Sequence, residues 1–422
     1  MNNYRKFFVV GVAVAMLMVS CRKEGFDLQN PNTRTCKSYV EQFETIWQGI
    51  NNTYVFWSRD TVDWEARYAK YHPIFESFDA HGADSAEYLN AWRGVVNGLL
   101  DHHMTLLLWN PNGKYRIGIR AASNSYSHET DEMAQLNILQ KQPGILDFTC
   151  YYVGNNNFVN SAYCLLPGKT AGKYIAYLRF SSFSIDTMSK ANFANKDKAE
   201  APFRAFYGDQ YAEGVTNGAV NRDDVEAIIL DVRNNGGGYI TDISPAVVSL
   251  LQKNYQHGYS RFKEGYGRLD YSSWVPVVFD CPKNYIKQAK PIVALVDINT
   301  VSSAELSAQA IKSIPNGTVV GERTYGATCP LVANTDRAFN VYYTGCFGDQ
   351  DLLLSSEKRP RDPNSYAYYV YSSTFDLVTN EYQSLEGVGV QPDIKVLYDA
   401  DKLAAGVDTQ LEAALEFLRK GN

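Results

Sequence analysis

Two short stretches of this sequence hold residue types that can act on carbonyl groups. The first is N-T-V-S-S-A-E-L-S-A-Q, residues 299–309, where two serines stand at what reads as the first turn of a helix. Main-chain N–H groups at a helix start have no intrahelical partner, so they can hold a developing negative charge. A serine placed there can attack a carbonyl while the N–H of the next residue helps hold the oxyanion. The same stretch contains the capping box S-x-x-E, with Ser302 as cap and Glu305 reaching back. Taken alone the stretch fits both roles, and the capping box is the plainer one. The second stretch is L-D-V-R-N-N-G-G-G-Y, residues 230–239. Three glycines after a buried strand let the main chain approach a ligand closely and turn its N–H groups inward. The stretch lacks the G-x-x-x-x-G-K-[ST] spacing of a phosphate loop. Asp231 and Arg233, which flank the turn, are read as holding it by pairing with the backbone or with each other.

The elements that must position these stretches follow from periodicity. K-Y-I-A-Y-L-R-F and D-V-E-A-I-I-L-D-V-R read as strands, the second running into the glycine turn. I-S-P-A-V-V-S-L-L-Q reads as a helix and P-I-V-A-L-V-D-I-N as another apolar strand. A-E-L-S-A-Q-A-I-K-S-I is then a helix and G-T-V-V-G-E-R a strand. Strands alternating with helices are the grammar of an α/β layered unit. Upstream, Tyr39, Phe43, Ile46, Trp47 and Ile50 recur at helical spacing, as do Leu89, Trp92, Val95, Val96 and Leu99. A further helix starts near Asp63. Between them and the α/β unit, T-L-L-L-W and Y-R-I-G-I-R are short strands separated by polar connections.

Taken together, the ordered motifs resemble the C-terminal processing (tail-specific) serine proteases. D-V-R-N-N-G-G-G is followed by a strand leading into S-S-A-E-L, then V-V-G-E-R-T-Y-G, then E-G-V-G-V-Q-P-D-I over 386–394. The N-terminal series W-Q-G-I-N-N-T-Y-V-F-W, V-D-W and L-L-D-H-H-M-T-L is similar to the branch related to the tricorn core protease. The resemblance implies an α/β fold with a crotonase-like layered catalytic core of the Clp and tail-specific protease type. It also implies a serine peptidase acting on polypeptides, with cleavage near their C-termini as an expectation. It makes Ser302 the nucleophile and places oxyanion donors at Ser303 and at Gly237 or Gly238. Many members carry a lysine base where this chain has Ala327, and alanine takes no proton. The tricorn-like branch uses the histidine of a D-x-H motif instead. That histidine falls on His103, with His102 beside it in place of a serine. The acidic partner aligns with Glu386. Because Ala327 removes the lysine, a catalytically inactive peptide-binding protein is the alternative. No G-L-x-x-G-D-x-I signature of a PDZ domain is found between 105 and 170.

Bulk properties narrow the setting. The chain has 422 residues, 45% hydrophobic and 20% charged, enough for more than one packed unit. A net charge of −6 without a basic block argues against nucleic-acid binding. The 30 tyrosines suit broad amphipathic surfaces or, more simply, core. M-N-N-Y-R-K, an apolar run and then S-C form a secretory signal that resembles a bacterial lipoprotein signal, with Cys21 as the lipidated residue. An extracytoplasmic protein tethered to a membrane is expected. The expected division is a signal over 1–21, a tether over 22–35, a helical domain over 36–108, a small β-rich insert over 109–170 and the catalytic α/β domain over 171–422. Of the remaining cysteines, Cys150 with Cys164 and Cys329 with Cys346 could form local bridges. No Cys/His set has zinc-ligand spacing, and an acyl-enzyme route needs neither metal nor organic cofactor.

Overall fold

The computed structural model describes residues 35–121, 128–152, 160–185, 196–208, 217–265, 267–282, 286–331 and 345–420. The signal, Cys21 and nearly all of the tether lie outside them.

The N-terminal region is helical, as its periodicity predicts, with helices Tyr39–Thr53, Trp64–His81 and Ser85–Val96. Each starts on a side-chain cap: Ser38 Oγ accepts from Glu41 N (3.1 Å), Asp63 from Ala66 N (2.9 Å), and Asp84 with Glu87 forms a capping box. Tyr39, Phe43, Ile46 and Ile50 bury one face of the first helix. Phe43 stacks on Phe75 at 4.7 Å and Trp47 on Trp64 at 6.0 Å. Much of the aromatic content is therefore core. This packing leads into the histidine loop, because Tyr54 Oη accepts from Leu100 N (2.8 Å) and donates to Asp60 (2.6 Å).

A seven-stranded sheet forms the α/β core. Its order is Ile394–Lys395, Gly317–Gly321, Ile292–Val296, Val225–Asp231, Tyr174–Phe180, Ser161–Pro167 and Leu146–Tyr151. The first five strands run parallel; Ser161–Pro167 runs against them, and Leu146–Tyr151 pairs antiparallel to Ser161–Pro167. Parallel strands covered on both faces need continuous apolar runs, and all five residues of Ile292–Val296 are buried. Helix Ser303–Lys312 is the crossover from Ile292–Val296 to Gly317–Gly321. Open sheets of this kind bind ligands at the carboxyl ends of their strands. The stretch read as a helix over 243–252 is a wide-turned Ser244–Val248 followed by one turn, Ser249–Leu251.

Two smaller sheets flank this core. One is antiparallel, in the order Phe347–Gly348, Tyr368–Tyr371, Thr105–Asn110, Tyr115–Arg120; the other comprises Phe375–Thr379, Tyr255–Phe262 and Val275–Phe279. They revise the expected division. Strand Thr105–Asn110 straddles the 108/109 boundary and pairs with Tyr368–Tyr371 from the far end of the chain. The stretch 109–170 is not a separate insert: Tyr115–Arg120 joins the four-stranded sheet, while Leu146–Tyr151 and Ser161–Pro167 extend the central one. Short strands bury too little alone and are completed by partners remote in sequence.

Among the described residues no disulfide joins Cys150 to Cys164 or Cys329 to Cys346, against the expected local bridges. Cys150 stands opposite Ala162, so Cys164 is its diagonal neighbour. Diagonal pairs lie roughly 7–8 Å apart, beyond the usual disulfide span. Cys329 Sγ instead accepts from Leu377 N, and Cys346 Sγ donates to Ser372 O.

Candidate active site

The serine loop is built from the end of strand Ile292–Val296. Asp297 N donates to Thr300 Oγ1 and Asn299 N to Asp297 Oδ1, both at 3.0 Å, which turns the chain sharply. Val301 N then bonds to Asn235 O (2.9 Å), tying this turn to the glycine loop. Ser302 follows at φ 59°, ψ −121°, as the residue that starts helix Ser303–Lys312. A non-glycine residue in so sparsely populated a region costs about 1–3 kcal/mol and persists only where its surroundings impose it. Glu305 is one such constraint: its Oε2 accepts from Ser302 N at 3.0 Å. The Ser302 hydroxyl lies by the Glu305 amide without a cap hydrogen bond, since that amide bonds to Ser302 O (2.9 Å).

The glycine loop closes on this serine. Gly237 has φ +86°, and a Cβ there would stand 2.7 Å from Ser302 Cβ and 2.8 Å from Val301 O. Its amide donates to Asn235 Oδ1 (2.9 Å). The amides of Gly238 and Ser303 have no hydrogen-bond partner among the described residues. The Gly238 carbonyl accepts from Ser303 Oγ at 2.9 Å. Two unspent N–H donors thus flank the serine, and of the two glycines left open by the sequence it is Gly238 whose donor is unspent. Asp231 and Arg233 form a bidentate pair of 2.9 and 2.6 Å, fully buried, with Arg233 also on Asp408 at 2.8 Å. They hold the end of the strand that feeds this loop.

The histidines follow the third N-terminal helix and line the same cleft as Ser302, Ser303, Gly237 and Gly238, a cavity of about 1080 Å³. His103 N donates to Asp101 Oδ1 (2.9 Å), and a ring nitrogen of His103 lies within 4.8 Å of carboxylate oxygens of both Asp101 and Glu386. Its Nδ1 is buried with no hydrogen-bond partner. Burial pushes the His103 imidazole down to about 4 against the pull of Asp101. His103 is therefore neutral at ordinary pH, the form that accepts a proton. His102 Nδ1 bonds to Leu100 O at 2.8 Å, and its ring meets Tyr325 edge-on at 5.9 Å. Among the described residues no hydrogen bond joins Ser302 to either histidine.

Glu386 sits behind the histidines rather than on the His103 ring. Its Oε1 accepts from His102 N, and its Oε2 from Thr328 N and Cys329 N, all at 2.9 Å. Burial pushes this carboxyl up to about 8, with the nearby charge of Asp101 adding to the rise and main-chain donors opposing it. Glu305 is buried in the same way. It accepts from Thr324 Oγ1 and Gly326 N at 2.6 Å and from Ala327 N at 2.8 Å, as well as from Ser302 N. Burial pushes it up to about 7. Ala327 itself is 1% exposed.

Asp101, His103 and Glu386 have the spacing of a cation site. Their carboxylates, however, are already satisfied by N–H and O–H donors. Asp101 takes Ser372 Oγ and Ser373 N at 2.7 Å and Ser373 Oγ at 3.0 Å. Donor-filled carboxylates have few lone pairs left for a metal. Sequence reasoning did not assign Asp101, which only its place in D-x-H could have flagged. It also passed over His128, whose Nε2 meets Glu322 at 2.7 Å on the cleft wall. Tyr239 and Ile240, 56% and 38% exposed at the cleft, were likewise unmarked.

Known proteins resemble this chain in sequence and in fold. Residues 174–330 match the model of peptidase family S41. The chain is 26% identical over 167 residues to the chloroplastic C-terminal processing peptidase of Tetradesmus obliquus, covering 40% of this chain and 29% of that protein. It is 26% identical over 215 residues to the tricorn protease of Thermoplasma volcanium, covering 50% of this chain and 16% of that one. The matches thus span less than a third of either relative. The crystal structure of a candidate peptidase from Parabacteroides merdae superposes over 90% of this chain and 96% of its own, with a TM-score of 0.60 at 20% identity, a likeness of fold.

Proposed function

Since this chain carries a peptidase family S41 domain, we propose that it is a serine endopeptidase hydrolysing extracytoplasmic polypeptides. The observation that carries this reading is Ser302, held in a strained conformation at a helix start with two unspent amides beside it. In the proposed reaction Ser302 Oγ attacks the scissile carbonyl and His103 takes its proton. The oxyanion sits between the N–H groups of Ser303 and Gly238. His103 then returns the proton to the leaving amine, and water hydrolyses the acyl-enzyme by the same route. Glu386 positions the histidine loop through the His102 amide and stabilises the imidazolium from close by. Cleavage of an unfolded polypeptide such as casein by residues 22–422, set against Ser302→Ala, tests this. Equal cleavage by the folded variant would sink it.

One observation favours a second reading, a silent peptide-binding protein: His103 Nδ1 has no hydrogen-bond partner. That reading predicts saturable peptide binding without cleavage.

The signal-like start, with S-C at 20–21, supports a lipid-tethered location for the proposed enzyme. Metabolic labelling with palmitate should mark the wild type and not Cys21→Ser. Labelling of both would remove Cys21 as the anchor.

A further inference from the structure

The segment Gly326–Cys329 is held in an unusual way. Four successive main-chain amides point at two buried carboxylates. Gly326 N and Ala327 N donate to Glu305, and Thr328 N and Cys329 N donate to Glu386. Each carboxylate also reaches one of the two loops that carry the proposed chemistry. Glu305 accepts from Ser302 N, and Glu386 from His102 N. A continuous path of hydrogen bonds therefore runs from the Ser302 main chain through Glu305, the 326–329 segment and Glu386 to the histidine loop. The same segment is braced further by Tyr325 N on Thr300 O and by Ser373 Oγ, which bridges Cys329 O to Asp101.

We propose that Glu305 is a positioning residue of the reaction. It fixes the Ser302 main chain and holds one half of the 326–329 segment, whose other half is held by Glu386, so that serine and histidine keep their relative places. The inference rests on the serine-peptidase reading above. It assigns Glu305 more than a helix cap. A capping glutamate satisfies one amide at the helix start, whereas this one also takes Thr324 Oγ1 and two amides from a remote turn. It is 0% exposed, so water cannot replace it as acceptor. Ala327 is itself part of this clamp. Its amide is bonded to Glu305.

The test uses residues 22–422 and a fluorophosphonate whose concentration dependence separates binding from the rate of bond formation at the serine. Four proteins are compared: wild type, Glu305→Gln, Thr324→Val and Thr324→Ser. Glutamine keeps the size but turns one acceptor oxygen into a donor that faces N–H groups. Thr324→Val removes a single donor, and Thr324→Ser keeps it. The expected result is a maximal labelling rate about 10- to 100-fold lower in Glu305→Gln, the range of a lost charge-assisted hydrogen bond, with probe binding unchanged. Thr324→Val should fall by less, and Thr324→Ser should match wild type. A folded Glu305→Gln that labels at the wild-type rate overturns the inference alone. Where Glu305→Gln does not fold, Thr324→Val labelling like Thr324→Ser overturns it. An unlabelled wild type would defeat the serine reading and this inference with it.

Discussion

Gly237 stands so close to Ser302 that a Cβ on the glycine would lie 2.7 Å from the serine Cβ. The two loops of the site are thus packed main chain against side chain, with no room for adjustment. The other near neighbours of that added carbon are Val301 O and Ser303 N, both main chain.

Gly237→Ala is therefore expected to lose activity with only moderate loss of stability. Alanine at φ +86° costs roughly 1–2 kcal/mol in left-handed backbone, and the contact with Ser302 must be relieved by moving a loop of the site. Thermal unfolding should show a folded protein a few degrees less stable, while peptide cleavage falls about 100-fold or more, as for a loop displaced by an ångström. Full activity would show that the close approach plays no part.

The two buried carboxyls and the half-buried His103 predict how pH acts. His103, at about 4, is already neutral through the working range. Glu305 at about 7 and Glu386 at about 8 ionise later, and the clamp accepts its amides best as carboxylates. Cleavage should accordingly rise between about pH 6.5 and 8, and the rise should persist in His102→Ala.

Stability should move in the opposite sense over the same window. A carboxyl whose folded pKa lies above its unfolded value of about 4.5 holds more protons when folded, so stability falls as pH climbs toward the folded pKa. His103 and His257, both lowered to about 4, act oppositely, adding stability as pH rises to their unfolded value near 6.5. Above that value the carboxyls dominate until Lys263, lowered by burial to about 8, begins to act against them, and Tm should drop from pH 6.5 to 8. Glu386→Gln should flatten this slope. A Tm that climbs across that window would contradict the burial of ionisable carboxyls at the site.

Ala327→Lys should not restore a lysine base. The residue is 1% exposed and its amide is bonded to Glu305, so a longer chain has to displace the clamp. Lower Tm and no recovery of cleavage in a His103→Ala background are expected. Recovery would show that the site still accommodates the lysine.

Much of the α/β core could be read from the sequence because its strands are buried on both faces and leave continuous apolar runs, as in Ile292–Val296. The N-terminal helices were legible from Phe43 and Trp92 at helical spacing. The four-stranded sheet was not, since Thr105–Asn110 finds its partner Tyr368–Tyr371 more than two hundred residues away, and no local pattern records that pairing. At the site, Ser302 and the glycine turn carry local signatures. Glu305 showed only the cap half of its contacts, because the amides of Gly326 and Ala327 reach it through the fold. Glu386 was placed by resemblance, and only the structure shows it bonded to the amide of His102 and not to the ring of His103.

The most direct measurement is fluorophosphonate labelling of residues 22–422, with the modified residue located by mass spectrometry, in wild type, Ser302→Ala and His103→Ala. A single adduct on Ser302 in wild type, absent from both folded variants, is the predicted result. An adduct on another serine, or none on any folded form, would contradict the assignment of Ser302 as the nucleophile.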